Sequence, residues 1–367
     1  MKISGSQKRL YLLSLVLLFV AVALALAWTL LGGQEDVLSE AVPTPTPTAA
    51  PWISPSPTAG LVPTAAEAGA EDVQKVSTVV YYQDNYGYLV PVMCNVNYED
   101  GIAKATIKRM IQSPENDMAA ARLGLRTVLP ENTTIDLDIH DGLARIDLSR
   151  EVLDMADAAA ETNMITAIVQ ALTEFDSVKQ VEFLVGGRKL EKLTHGTDIS
   201  KPFERGEINM ETSVATGSEL KPVTLYFPCD SGSVVVPVTR MVYSKADINT
   251  AVLELAKGPS TQSPLERALP AGCGLIDVQL EDGVAKVNFT REFADTVQNS
   301  DGGRLAMKAL VLTCTQFEGV ERVEIFVEGE PYDPGEGTLA VPSFANVADE
   351  IVNDYIQTQS NLLFDFE

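Results

Sequence analysis

The 367-residue chain is predicted to be an α+β protein: two tandem small domains, each a mainly antiparallel sheet with two helices packed on one face, behind an N-terminal transmembrane helix. Three observations predict this. A series of landmarks recurs in the same order at an offset of about 140 residues, the signature of a duplicated unit. Within each unit, stretches of period-two apolar alternation switch to helical spacing and back. Ahead of both units, Leu10 to Leu31 is uncharged and almost wholly apolar, long enough to cross a bilayer.

Residues 1–9 form the cytoplasmic flank, with Lys2, Lys8 and Arg9 and no acid; residues 10–31 form the transmembrane signal anchor. A cleaved signal peptide shares the basic start and the small residues near Ala23 to Ala27, but the apolar run exceeds a usual signal core and favours an uncleaved anchor. Either reading exports everything beyond Gly32, because the basic flank stays inside. The expected location is therefore the cell membrane, crossed once, with the C-terminal domains outside the cytoplasm. Residues 32–75 are a Pro/Thr-rich linker, with seven prolines between Pro43 and Pro63. Such a composition cannot bury a core and extends as a semi-rigid stalk.

The duplication assigns residues 76–210 to domain one, 211–217 to a linker, 218–345 to domain two and 346–367 to an acidic C-terminal tail. Asp141 to Glu151 matches Asp282 to Glu292 in residue character at every position, and Val181 to Val185 matches Val323 to Val327. Each copy opens with two strands about a turn: Val79 to Tyr82 with Tyr88 to Val96, and Val223 to Phe227 with Val234 to Met241. A helix follows. In copy two its apolar face is Ile248, Ala251, Val252, Leu255 and Ala256, stopped by Gly258-Pro259. In copy one Ile107, Met110 and Ile111 serve, with Ser113-Pro114 as the expected stop. Hairpins come next, about Asp141-Gly142 and Asp282-Gly283, where an acidic residue and glycine suit a tight turn. Ser149 and Thr290 are expected to cap a second helix, with Glu151 and Glu292 in its first turn. A final buried strand closes each copy.

The sequence carries no catalytic constellation and implies no catalytic, cofactor-binding or metal-binding residues. His140 and His195 do not recur in copy two, and Asn288 stands where a paired-acid scheme would need the counterpart of Asp147. No glycine-rich phosphate loop, zinc motif or calcium loop is present. Cys94, Cys229, Cys273 and Cys314 are too scattered for a disulfide scaffold; a Cys229 to Cys273 bridge is conceivable but disfavoured, and Cys314 reads as a core thiol. The net charge of -24 excludes nucleic acid as a partner.

Leu255 to Ser260, Leu269 to Gly272 and Asp282 to Phe293, in that order, resemble the GerMN domain family. Copy one keeps the pattern at Val128 to Asn132, Asp141 to Glu151 and Gly196 to Phe203, with Gln112-Ser113-Pro114 in place of the Gly-Pro signature. The resemblance spans Val76 to Phe344. It implies a membrane-associated, extracytoplasmic protein of a spore-forming bacterium, acting in sporulation or germination, with a fold similar to ring-building domains. Members are often lipoproteins, whereas this chain has no cysteine before Cys94. Expected partners are the membrane through the N-terminal helix, other exported envelope or sporulation proteins, and self-assembled copies. A cell-wall glycan or small-ligand module is the alternative, and a cell-wall hydrolase ranks third. Trp28 and Trp52 both lie outside the repeats, and that lack of an aromatic platform favours assembly.

Overall fold

A computed structural model of the protein describes residues 75–97, 101–211, 219–230, 232–243, 245–297, 302–333, 338–341 and 345–351. The expected membrane segment 10–31, the stalk and most of the tail lie outside these residues. Among the described residues no helix is long and apolar enough to cross a membrane.

Repeat one begins with a hairpin of β1 (Lys75–Gln83) and β2 (Leu89–Asn97). Its turn is built by Asp84, whose Oδ1 accepts from Tyr86 N at 2.9 Å and Tyr88 N at 2.8 Å. Helix α1 (Ile102–Arg109) and helix α2 (Pro114–Ala121) follow. Ser113-Pro114 therefore opens a helix instead of ending one. The Ser113 hydroxyl accepts from Asn116 N, and Pro114 occupies the first turn, where its missing N–H costs nothing. The same dipeptide suits both ends of a helix, and only the following residues, PENDMAAA, distinguish them.

Strands β3 (Ile135–His140) and β4 (Leu143–Leu148) form the second hairpin. A 3₁₀ turn (Arg150–Asp154), helix α3 (Ala158–Thr173), β5 (Gln180–Val185) and the short β6 (Phe203–Glu204) complete the repeat. The sheet order is β3-β4-β5-β6, with β4 and β5 parallel and the outer pairs antiparallel. The parallel pair follows from the α3 crossover, which returns the chain to start β5 beside the start of β4.

Repeat two has the same plan. Its elements are β7 (Lys221–Pro228), β8 (Val235–Val242), α4 (Ile248–Lys257), β9 (Leu275–Glu281), β10 (Val284–Phe289), α5 (Glu292–Val297), α6 (Gly302–Thr315) and β11 (Arg322–Val327). Strands β12 (Glu330–Tyr332) and β13 (Leu339–Ala340) pair with β11, and β10 and β11 are parallel.

Two corrections to the expected architecture follow. Each repeat holds two separate sheets, because the β1–β2 and β7–β8 hairpins do not pair with the larger sheets. The helices pack against both: α3 against β1 and β5, and α6 against β7, β8 and β11. The capping expectation also changes. Ser149 makes no capping bond to the 3₁₀ turn; its hydroxyl accepts from Thr134 N instead, and Asp157 caps α3 through Ala160 N.

The hairpins are buried on both faces, with Val80, Val90, Val92, Val235 and Val236 wholly enclosed. The repeat's own helices pack on each hairpin, and β2 of the first repeat lies beside β8 of the second. A single apolar core runs through both repeats, which lie within one compact unit, Ala70–Glu367.

Candidate functional site

The repeated motif residues keep the same local roles in both copies and do not converge. Asp141 and Gly142 take φ of 51° and 82°, and Asp282 and Gly283 take 50° and 78°, the left-handed pair a tight hairpin demands. Gly258 ends α4 at φ 83°, and its carbonyl accepts from Arg240 Nη2. Pro259 follows it. Ser149 and Thr290 sit past the far ends of β4 and β10. Their hydroxyls hold the Glu151 and Glu292 carboxyls below the ordinary range. Asp147 Oδ1 accepts from Gly187 N, and Asn288 Oδ1 accepts from Gly329 N in the other repeat. An acceptor is all that position requires, so Asp and Asn are interchangeable there.

His140 is exposed, and its ring Nε2 lies 3.1 Å from Oδ2 of its neighbour Asp141. The His195 ring lies 2.7 Å from Met155 O, and its backbone N–H donates to Glu161 Oε1. Glu161 is fully buried and also accepts from Thr197 N, so it ties the 195–197 loop to α3. The two histidines share no partner. All four cysteines are buried and outside any disulfide, and no described group of three His, Cys, Asp or Glu side chains is arranged to hold a metal. Burial pushes the Cys273 thiol up to about 12 and Cys94 to about 11.

The concentrated polar chemistry lies instead at the junction of the repeats. Strands β2 and β8 face each other edge to edge, and each carries a proline on its outer edge, Pro91 and Pro237. Without an N–H these residues cannot join the strands directly, which is why proline is confined to edges. Two asparagines fill the gap. Asn209 Nδ2 donates to Leu89 O at 2.8 Å and Pro237 O at 2.7 Å, while its Oδ1 accepts from Leu89 N at 2.8 Å. Asn346 mirrors it, donating to Val235 O and Pro91 O at 2.9 Å each and accepting from Val235 N at 2.9 Å.

Backbone pairing follows the same reciprocity. Met210 bridges to Thr239 on β8, and Val347 bridges to Met93 on β2, both in parallel sense. The segment following each repeat is thus laid on the hairpin of the other. Asn346, the first residue assigned to the acidic C-terminal tail, is only 1% exposed. Glu211, placed in a linker, makes a bidentate ion pair with Arg240 and accepts from Ser260 N. The remaining residues of that linker lie outside the described set.

Beside the lock, Tyr81 donates to Glu174 Oε1 at 2.7 Å, and Arg205 Nη2 binds the same oxygen at 2.6 Å. Burial, reinforced by Glu174, pushes the Tyr81 hydroxyl far above its ordinary range, so it remains a donor. Sequence reasoning missed this junction because its bonded partners are separated by 28 to 255 residues and belong to different elements. A proline at the same strand position in both copies, and an asparagine following each, were the available signals.

A duplicated α+β unit whose copies are clasped by reciprocal asparagines defines a tandem-domain protein. The family described as "Germane: Sporulation and spore germination" matches residues 79–191 and 224–333, and the chain belongs to it. The "Spore germination protein GerM" of Bacillus subtilis (strain 168) is 29% identical over 272 residues, covering 70% of this chain and 74% of that protein. The solved tandem GerMN domains of the sporulation protein GerM from Bacillus subtilis match with a TM-score of 0.62 at 28% identity, covering 75% of this chain and 99% of that one.

Proposed function

We propose that this is a membrane-anchored, extracytoplasmic structural protein of spore formation or germination that acts by docking with other exported proteins. The observation that carries the reading is the reciprocal lock. It makes one body from two repeats and leaves the outer strands β3 and β9 as unpaired edges among the described residues. Membership of a sporulation and spore germination family supports the process. The basic flank and apolar run at residues 1–31 support the anchor.

The edges also favour one kind of partner. Strand β3 carries Asp136 and Asp138, and β9 carries Asp277 and Glu281. Pairing such edges between two copies sets carboxylates against one another, which is unfavourable. A separate, basic exported protein fits them better than a second copy. The non-catalytic character rests on the separation of His140 from His195 and on the structural roles of the repeated carboxylates.

The test replaces the native gene with one encoding Asn209→Ala and Asn346→Ala together, alongside His140→Ala and His195→Ala, with protein levels and membrane fractionation monitored. The lock variant should lose spore function and its cross-links to exported proteins, while each histidine variant behaves as wild type. A functional defect in a histidine variant with intact fold and location would establish the enzyme reading instead.

A further inference from the structure

We infer that the cleft between the repeats, beside the asparagine lock, is a binding site for a neutral, hydroxyl-rich ligand, a saccharide of one or two rings. The cleft has a volume of about 380 Å³, within the range of small-molecule sites. It is lined by residues of both repeats.

Its polar groups are incompletely used. Gln170 is only 2% exposed; its Nε2 donates to Gly206 O at 2.6 Å, while its Oε1 has no partner among the described residues. Tyr226 is bonded through its backbone N–H, but its hydroxyl has no partner among the described residues, and burial pushes that hydroxyl upward so that it stays protonated. Glu174 spends only Oε1 on Tyr81 and Arg205, and Glu207 spends only Oε2 on Thr239. Arg205 uses both terminal nitrogens and leaves Nε–H available. Five polar groups around one cleft thus keep hydrogen-bonding capacity that a ligand or water can meet.

The signs select the class. Free acceptors stand on Gln170, Glu174 and Glu207, and free donors on Arg205 and Tyr226. A carboxylate meets Glu207, and an ammonium meets the Arg205 guanidinium. A hydroxyl donates and accepts together, so neighbouring hydroxyls satisfy both kinds without bringing charge. Pro91, Pro237 and Leu312 supply an apolar wall for the C–H face of a sugar ring.

The probe is the β-1,4-linked dimer of N-acetylglucosamine, added to the full chain in a detergent without a sugar headgroup and followed by saturation-transfer NMR. The expected result is saturable transfer, with a dissociation constant of about millimolar or tighter, as suits a ligand of this size. Tyr226→Phe and Gln170→Met should each weaken binding at least about threefold while retaining the wild-type circular dichroism and Tm. Absence of transfer overturns the assignment, as does binding that survives both substitutions. Glycine betaine, a zwitterion, is the comparator: if it binds in a Tyr226-dependent way and the sugar does not, the class is wrong.

Discussion

Replacing Asn346 by Ala tests the lock most directly. The side chain is almost fully buried and makes three hydrogen bonds, two to carbonyls on opposite repeats and one from Val235 N. At about 1 kcal/mol net for each bond, the loss is about 3 kcal/mol, rising toward about 5 where Pro91 O and Val235 are left buried without partners. For a unit of this size, each kcal/mol moves Tm by roughly 2–4 °C, so the expected fall is about 6–12 °C or more. Differential scanning calorimetry of the full chain should also show the single transition separating into two, because the repeats no longer share their junction. Asn346→Asp is a sharper control. It preserves shape and the bond from Val235 N, yet sets a carboxylate against two carbonyls, and should be at least as damaging as alanine. A shift under about 2 °C for Asn346→Ala, with one transition retained, would refute the claim that this residue couples the repeats.

Further expectations follow from other buried groups. Burial raises the Asp84 carboxyl above its ordinary value despite the backbone N–H groups that favour its ionised form. Its stabilising contribution is present below the unfolded value near 4 and fades as pH rises through the higher folded value. Wild type should therefore lose stability relative to Asp84→Asn as pH climbs from about 4 toward neutrality, since Asn keeps the acceptor for Tyr86 and Tyr88. A pH-independent difference in urea midpoints refutes this. Glu211→Ala removes the bidentate partner of Arg240, whose side chain is 12% exposed, and should cost about 3 kcal/mol in urea unfolding. Arg240→Met combined with Glu211→Met should recover most of that loss. Gly258→Ala places a Cβ against the Arg267 guanidinium at a positive φ and should cost at least about 1–2 kcal/mol by the same measurement. Arg267 donates to Lys257 O and Ala256 O, so its displacement also uncaps α4.

The duplicated plan was legible in the amino-acid order because the forces behind it are local. An Asp-Gly pair at φ near 50° and 80° announces its hairpin, and alternation from Leu143 to Leu148 announces a strand with one buried face. Asp-Gly and the apolar stripes recur with the repeat because each repeat solves the same short-range problem. Ser113-Pro114, expected to stop the preceding helix, opens α2 instead, since a residue pair that suits a stop also suits a capped first turn that admits proline. The split of each repeat into a hairpin and a mixed sheet, and the parallel placement of β5 beside β4, depend on where a crossover helix lands. The junction was the least visible feature. Pro91, Pro237, Asn209 and Asn346 are ordinary residues in the sequence, and only the meeting of two strand edges turns missing N–H groups and two side-chain amides into a clasp. Periodicity reports which face of an element is apolar. It does not report which distant edge that element will meet, because that choice is made by packing over the whole core.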